Sequence, residues 1–347
     1  MIKQLFKGEC MILRILTIAF LISWVVLPGC SQNTRIPLDF DPRGKIVYIE
    51  DLSGKSGLAD FNFGDLVILD PETKEKIVLT RDRYYNAHPS WSPNGDKIVF
   101  ESKRVGSFTD ASTQSNLFIY YLKTGEIVRL DKDFKSRFPD IIEREYNQSP
   151  AWSNDGSKIA FVNRVGARGR IVVYDIEKDT LEIISDDIFF RKPLRWSSDD
   201  KYLTFRQRYS EAAPEEYFHY SLVLLNIQNK NYIEIGDPDI RIEGGCKING
   251  RIFYIGWSPD SPIGFTAVYS YDINKGSSSV YYKSTGMDIS DVLSDDINIY
   301  FYGTVYLNDN FKYLIDIYRM NLDNYSIEQL TFDGHEKMDM DIFKKIQ

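Results

Sequence analysis

Three stretches of the chain are near-copies of one another: His88-Pro-Ser-Trp-Ser-Pro-Asn-Gly-Asp-Lys-Ile-Val-Phe100, Ser149-Pro-Ala-Trp-Ser-Asn-Asp-Gly-Ser-Lys-Ile-Ala-Phe161 and Pro193-Leu-Arg-Trp-Ser-Ser-Asp-Asp-Lys-Tyr-Leu-Thr-Phe205. A chain that repeats a motif in this way folds as an array of equivalent units rather than around one irregular core. In each copy a Trp closes a short apolar strand and a Ser-x-Asn/Asp-Gly/Asp turn reverses the chain. An alternating run such as Lys97-Ile-Val-Phe100 then opens the next strand.

Each copy is followed by a second strand pair with its own turn. After Trp91 the pair is 116–121 and 126–130, joined by Leu122-Lys-Thr-Gly125; after Trp152 it is 170–174 and 181–184, joined through Ile176-Glu-Lys-Asp179. Four strands per unit predicts the blade of a β-propeller. Weaker copies complete the array. Pro37-Leu-Asp-Phe-Asp-Pro-Arg-Gly-Lys-Ile-Val-Tyr48 repeats the motif with Phe40 for Trp, so 37–41 is expected to supply the innermost strand of a first blade completed by 65–69 and 76–79. Val292-Leu-Ser-Asp-Asp-Ile-Asn-Ile-Tyr-Phe301 echoes the third copy and leads into 313–318 and 327–330. The fifth unit, 240–283, is the most degenerate, with Trp257-Ser-Pro-Asp260 falling after its second strand, 251–255. The expected fold is all-β: a six-bladed propeller of four-stranded antiparallel blades over residues 36–333. Beyond it, Phe332-Asp-Gly-His-Glu-Lys-Met-Asp-Met-Asp-Ile-Phe343 repeats the Ala87-His88 lead-in at Gly334-His335. The tail 334–347 is therefore expected to add to or cover the first blade and help close the ring.

The motif resembles the W-S-P-D-G-x-x-I-x-F repeat of TolB-like propellers, and the resemblance covers residues 36–333. It is a resemblance to the propeller and not to the small α/β domain that precedes it in TolB, because the first unit begins a few residues after position 30. It implies an envelope protein that bridges to a partner, as TolB does to a peptidoglycan-associated lipoprotein.

The N-terminus agrees with export. Residues 15–27 carry no charge, follow Lys3, Lys7 and Arg14, and end in Leu27-Pro-Gly-Cys30. A run that short reads as a signal-peptide core and not a membrane span. The tetrapeptide resembles a bacterial lipobox, with Pro28 departing from the usual residue there. Residues 1–29 are thus expected to be a lipoprotein signal, Cys30 the lipidated N-terminus and 30–35 a short tether; Met11 is an alternative start. An ordinary secretory signal or an N-terminal anchor is the competing reading. Ser31 stands where the inner-membrane retention signal of enteric bacteria has Asp, so an outer-membrane anchor facing the periplasm is expected in a cell with two membranes. With Cys10 in the signal and Cys30 lipidated, Cys246 is left alone and no intramolecular disulfide can form.

The formal charge is −8, and the mature chain is more acidic still, because Lys3, Lys7 and Arg14 leave with only one acid, Glu9. Nucleic acid is not an expected partner for such an exported chain. Catalytic chemistry is not visible either. The three histidines, His88, His219 and His335, lie in different units, without His-Glu-x-x-His spacing or a Cys/His cluster. Gly54-Lys55-Ser56 lacks the first glycine of a phosphate-binding loop, Asp131-Lys-Asp133 fails as a calcium loop at Lys135 and Ser136, and there is no Gly-x-Ser-x-Gly elbow. No cofactor, metal or enzymatic activity is expected; the alternative is a propeller enzyme such as a polysaccharide lyase, or a peptidase-associated propeller. Oligogalacturonate lyases share a related repeat, but their seven blades and histidine-rich manganese site match this chain poorly. His88 reads as part of the repeat, capping its strand. The doubled acids Asp186-Asp187, Asp199-Asp200 and Asp295-Asp296 read as turn formers, and the repeat tryptophans as wedges between blades.

The asymmetry of the loops is more informative. Turns between first and second and between third and fourth strands, such as Ser92-Pro-Asn-Gly95, are uniformly tight. The opposite face collects the insertions 51–64, 103–115, 131–147 and 206–219. With the shorter connections there, they carry Arg81, Arg83, Tyr84, Tyr85, Phe138, Arg164, Arg168, Phe190, Arg206, Arg208 and Tyr209. Arg and aromatic residues dominate interface hot spots, so this face is the expected surface for an envelope protein, peptide or glycan, on a monomeric propeller. The alternative is that these side chains fold back and cover the blade tops.

Overall fold

Alternating apolar runs separated by tight turns form six four-stranded antiparallel sheets in the computed structural model. It describes residues 36–343 other than 38, 53–63, 83, 105–114, 143–145, 166–167, 189, 209–219, 236–240, 249, 258–265, 296, 308–312 and 334. The first blade contains β1 (Ile46–Glu50), β2 (Asp65–Leu69) and β3 (Lys76–Val78). The second runs β4 (Asn86–Trp91), β5 (Lys97–Ser102), β6 (Asn116–Tyr121) and β7 (Glu126–Arg129). A single-turn helix α1 (Phe134–Arg137) leads to the third, β8 (Asn147–Trp152), β9 (Lys158–Val165), β10 (Arg168–Asp175) and β11 (Thr180–Ile188). The fourth is β12 (Phe190–Trp196), β13 (Tyr202–Arg208), β14 (Tyr220–Asn226) and β15 (Tyr232–Ile235). The fifth is β16 (Arg241–Ile248), β17 (Arg251–Trp257), β18 (Ala267–Asp272) and β19 (Ser277–Lys283). The sixth is β20 (Asp288–Ser294), β21 (Asn298–Tyr306), β22 (Tyr313–Asn321) and β23 (Ile327–Gln329). The last strand, β24 (Lys337–Ile342), returns to the first blade and pairs antiparallel with β1.

That pairing corrects one expectation. Residues 37 and 39–41 form no strand, and the innermost position of the first blade belongs to β24, so the propeller extends past 333 to Phe343. Phe40 instead packs against the apolar layer between the first and second blades, and Pro42 lies against the tight turn of the second. A Cβ at Gly95 in that turn would come within 2.3 Å of Pro42, and the backbone there has φ +69°, so only glycine fits. Adjacent innermost strands touch all the way round, from β24 through β4, β8, β12, β16 and β20 back to β24, which closes the ring.

Middle strands are buried on both faces because each blade is sandwiched by two others, and their sequences therefore read as continuous apolar runs. The pleat divides β1 between them: Ile46 and Tyr48 pack with Tyr300, Tyr302 and Ile317 of the sixth blade, Val47 and Ile49 with Trp91, Ile98 and Phe100 of the second. All four are fully buried, at about 1.5–3 kcal/mol for each of the three aliphatic side chains, Ile46, Val47 and Ile49. Outer strands such as β7 and β15 face solvent and alternate or turn polar.

The innermost strands share one irregularity. Each pairs with its neighbour through a register shift, and at that point His88, Ser149, Asp291 and Asp339 adopt φ between 48° and 52°. Left-handed backbone at non-glycine residues stores strain and needs outside support. Side chains of adjacent blades supply it: Asp339 Oδ2 accepts from the His88 N–H at 3.1 Å, and Glu101 Oε2 from the Ser149 N–H at 3.1 Å. The register also shows that Asp339, and not His335, occupies the place of His88 in the tail.

Candidate functional site

The bulged strands frame the central channel. Where they run out into the tight turns they enclose a cavity of about 140 Å³, walled by Trp91, Trp152, Trp196, Pro89, Pro150, Pro193 and the closing strand at Met340 and Ile342. Polar groups tie the wall together from blade to blade. Asp341 Oδ2 accepts from the Trp91 N–H at 2.8 Å, Ser90 Oγ from the Trp152 N–H at 3.0 Å, and Ser149 Oγ from the Leu194 N–H at 3.2 Å. Arg195 of the fourth blade reaches past the fifth to the sixth, donating to both carboxylate oxygens of Asp291 at 2.7 and 2.9 Å. His88 is buried between Glu101, 3.0 Å from its Nδ1, and Asp339, 3.3 Å from its Nε2. It is thus part of the blade-to-blade network, the structural role its place in the repeat suggests.

A second polar cluster lies at the seam of the first and sixth blades. Glu50, Asp333 and His335 bring candidate ligand atoms within 4.8 Å of one another. The ammonium of Lys76 already sits there, 3.0 and 3.2 Å from the two oxygens of Glu50 and bonded to Asp333, and His335 Nδ1 lies 2.8 Å from Glu50. A metal would have to displace that ammonium, so the donor set fits an ion-pair seam and not a metal centre.

The long-loop face is built from stacked cations and aromatics. Tyr84 lies under the guanidinium of Arg104 at 5.1 Å, which also covers Phe100 and Phe118 and pairs with Asp82 at 2.9 Å. Lys103 sits over Tyr85, Arg137 over Phe138 and Arg206 over Tyr220. Phe138 packs edge-on to the buried Phe134, which stacks on Phe161. Arg81 is exposed, while Arg164, Arg168 and Arg206 are half-buried. Nearby, burial pushes the Asp65 carboxyl up to about 6. Phe190 and Arg208 lie in β12 and β13; Arg83 and Tyr209, like most of the long insertions, lie outside the described residues. Several side chains expected to be free thus also serve as packing for the loops.

Sequence reasoning missed one contributor to this face. β21 and β22 continue beyond the length of an ordinary blade strand, as far as the pair Tyr306 and Tyr313. Tyr306, Leu307 and Leu314 there are 38–55% exposed. The signal was present in the alternation that continues from Tyr302 through Thr304 to Tyr306.

Six four-stranded blades around a lined channel define a six-bladed β-propeller. Its likeness is to TolB structures: the crystal structure of TolB from Acinetobacter baumannii has TM-score 0.63 and 17% identity, covering 90% of this chain and 69% of that one. A putative TolB from Agrobacterium tumefaciens matches with TM-score 0.57 and 14% identity, covering 83% and 88%. A chain of a nidogen/laminin complex matches with TM-score 0.56 and 9% identity, covering 86% and 97%. No protein-family model and no curated protein matches the sequence. The fold is therefore that of a TolB-like six-bladed β-propeller.

Proposed function

We propose that this chain is a lipid-anchored propeller of the bacterial envelope that binds a protein, peptide or glycan at its long-loop face. The observation that carries this reading is the asymmetry of the two faces. One consists of tight turns; the other gathers the Arg and Lys stacks on Tyr84, Tyr85, Phe138 and Tyr220 together with exposed Tyr306, Leu307 and Leu314. Aromatic and Arg side chains on a rigid scaffold are the composition of interface hot spots. The fold of TolB and the presence of a similar chain in a nidogen/laminin complex are in keeping with a binding role. Cys30 is the proposed anchor, and the outer membrane, facing the periplasm, the proposed site.

Two experiments separate the parts of this reading. A partner isolated from solubilised envelopes should bind Arg206→Ala/Arg208→Ala and Tyr306→Ala/Leu307→Ala variants more weakly by at least about 1–2 kcal/mol each. Lys123→Ala/Glu126→Ala, on the tight-turn face, should bind as the parent does. Loss from the control alone would move the partner to the other face. Cys30→Ser should abolish acyl labelling and release the protein from membranes; a variant still fully membrane-bound after a carbonate wash would rule out the lipid anchor.

A further inference from the structure

The chain enters the propeller on the tight-turn face. Pro42 lies against the turn at Gly95, and Ile36 and Phe40 pack on the apolar layer between the first and second blades. Backbone hydrogen bonds hold this lead-in in place. The Phe40 N–H donates to the Pro37 carbonyl at 3.1 Å and the Lys45 N–H to that of Pro42 at 3.0 Å, while the Gly44 N–H donates to Phe343 and the Phe343 N–H to Lys45, both at 2.9 Å. The Lys45 ammonium meets Asp70, in the tight turn of the first blade, at 2.6 Å. The entry point is thus fastened to the end of the closing strand and to the tight turns at Asp70 and Gly95.

Only five residues, 31–35, separate Cys30 from Ile36. However they are arranged, the six residue steps span at most about 22 Å. A blade is taller than that: β21 runs nine residues from the tight turn at Asn298 to the long-loop end at Tyr306, about 30 Å at the rise of an extended strand. A bilayer lying against the long-loop face would hold Cys30 farther from Ile36 than the chain permits, and the blades themselves block the straight path. We propose that the short tether turns the tight-turn face toward the anchoring bilayer and presents the long-loop face away from it. Given the anchor proposed at Cys30, on which this orientation rests, the partner of the long-loop face is narrowed to a molecule presented from outside that bilayer. The exposed Tyr306, Leu307 and Leu314 then serve such a partner and not insertion into the lipid that holds the protein.

The test uses the lipidated protein in vesicles whose headgroups carry an acceptor dye. A donor dye is attached through an unnatural side chain at position 123, where Lys123 is exposed in a tight turn of the second blade, or at position 307, where Leu307 is 55% exposed at the long-loop end of the sixth. Energy transfer to the bilayer should be at least about twofold stronger from 123 than from 307, which lies a blade's height farther away. Inserting about 20 Gly/Ser residues between Gln32 and Asn33 should bring the two values together, because a flexible linker of that length can outreach the blade. Equal transfer from both positions with the short tether, stronger transfer from 307, or a difference that survives the insertion would each overturn the proposal. Flotation of the unlabelled parent with vesicles reads the anchor separately. A protein that does not float lacks the anchor, and the orientation falls with it; a floating protein with equal transfer overturns the orientation alone.

Discussion

Deletion of residues 334–347 is expected to abolish the cooperative melt of the propeller and leave an aggregating species. The deletion removes β24, the innermost strand of the first blade. With it go the pairings of Ile46 with Ile342, Val47 with Asp341, Ile49 with Met338 and Glu50 with Lys337. Buried Met340, Ile342 and Phe343 are lost together, at about 1.5–3 kcal/mol each, which is comparable to the whole stability of a typical domain of about 5–15 kcal/mol. The second blade loses the Asp339 and Asp341 carboxylates that hold the main chain at His88 and Trp91. β1 would then be an unpaired edge whose residues are all buried in the intact ring, an open template for association. Calorimetry with size-exclusion chromatography checks this. A truncated protein that melts like the parent and elutes as a monomer would show that the tail strand is dispensable.

Lys337→Ala is expected to cost about 3–5 kcal/mol, the penalty for leaving buried charges without their partner. The Lys337 side chain is fully buried, and its ammonium donates to Asp316 at 3.3 Å, Asp333 at 2.6 Å, the Ile315 carbonyl at 3.0 Å and the His335 carbonyl at 2.8 Å. One ammonium on the closing strand thereby fastens the first blade to β22 of the sixth. Burial alone would push the Asp333 carboxyl up, but hydrogen bonds from Lys337 and Lys76 hold it well below the usual carboxylate range. Its contribution is present above the unfolded carboxylate pKa and is lost as the pH falls through the depressed folded value. The stability gap between parent and Lys337→Ala should therefore be widest near neutral pH and narrow in strong acid. Adding Asp316→Asn and Asp333→Asn to Lys337→Met should restore part of the loss, because the pocket is then neutral. A Lys337→Ala protein as stable as the parent would show the ammonium to be irrelevant to closure.

The blades themselves were legible in the sequence, since a strand, a tight turn and a strand are local events. Gly95 and Gly156 mark left-handed turn positions, and Asp200 adopts the same conformation where the third copy lacks glycine. Burial of both faces of a middle strand writes itself as an apolar run, so the four-strand unit and its sixfold repetition could be read directly. The loop asymmetry was equally visible, because insertions are lengths and not contacts. What could not be read was the packing of the loop side chains: nothing local places Arg104 on Tyr84 or Phe134 against Phe161.

The choice of the ring-closing strand also lay beyond local pattern. Residues 37–41 and 337–342 are both compatible with an innermost strand, and only the long-range pairing with β1, fastened by Lys337, selects the tail. Likewise the motifs around Trp152 and Trp196 are near-identical, yet the Trp196 indole donates across the blade boundary to the Ala151 carbonyl while that of Trp152 donates to Gly156 of its own turn. The repeat in the sequence determined the strands, the turns and the number of blades, whose forces act within a few residues. Ring closure and the blade-to-blade bonds of the innermost strands were decided by the tertiary structure, because each depends on groups brought together from distant parts of the chain.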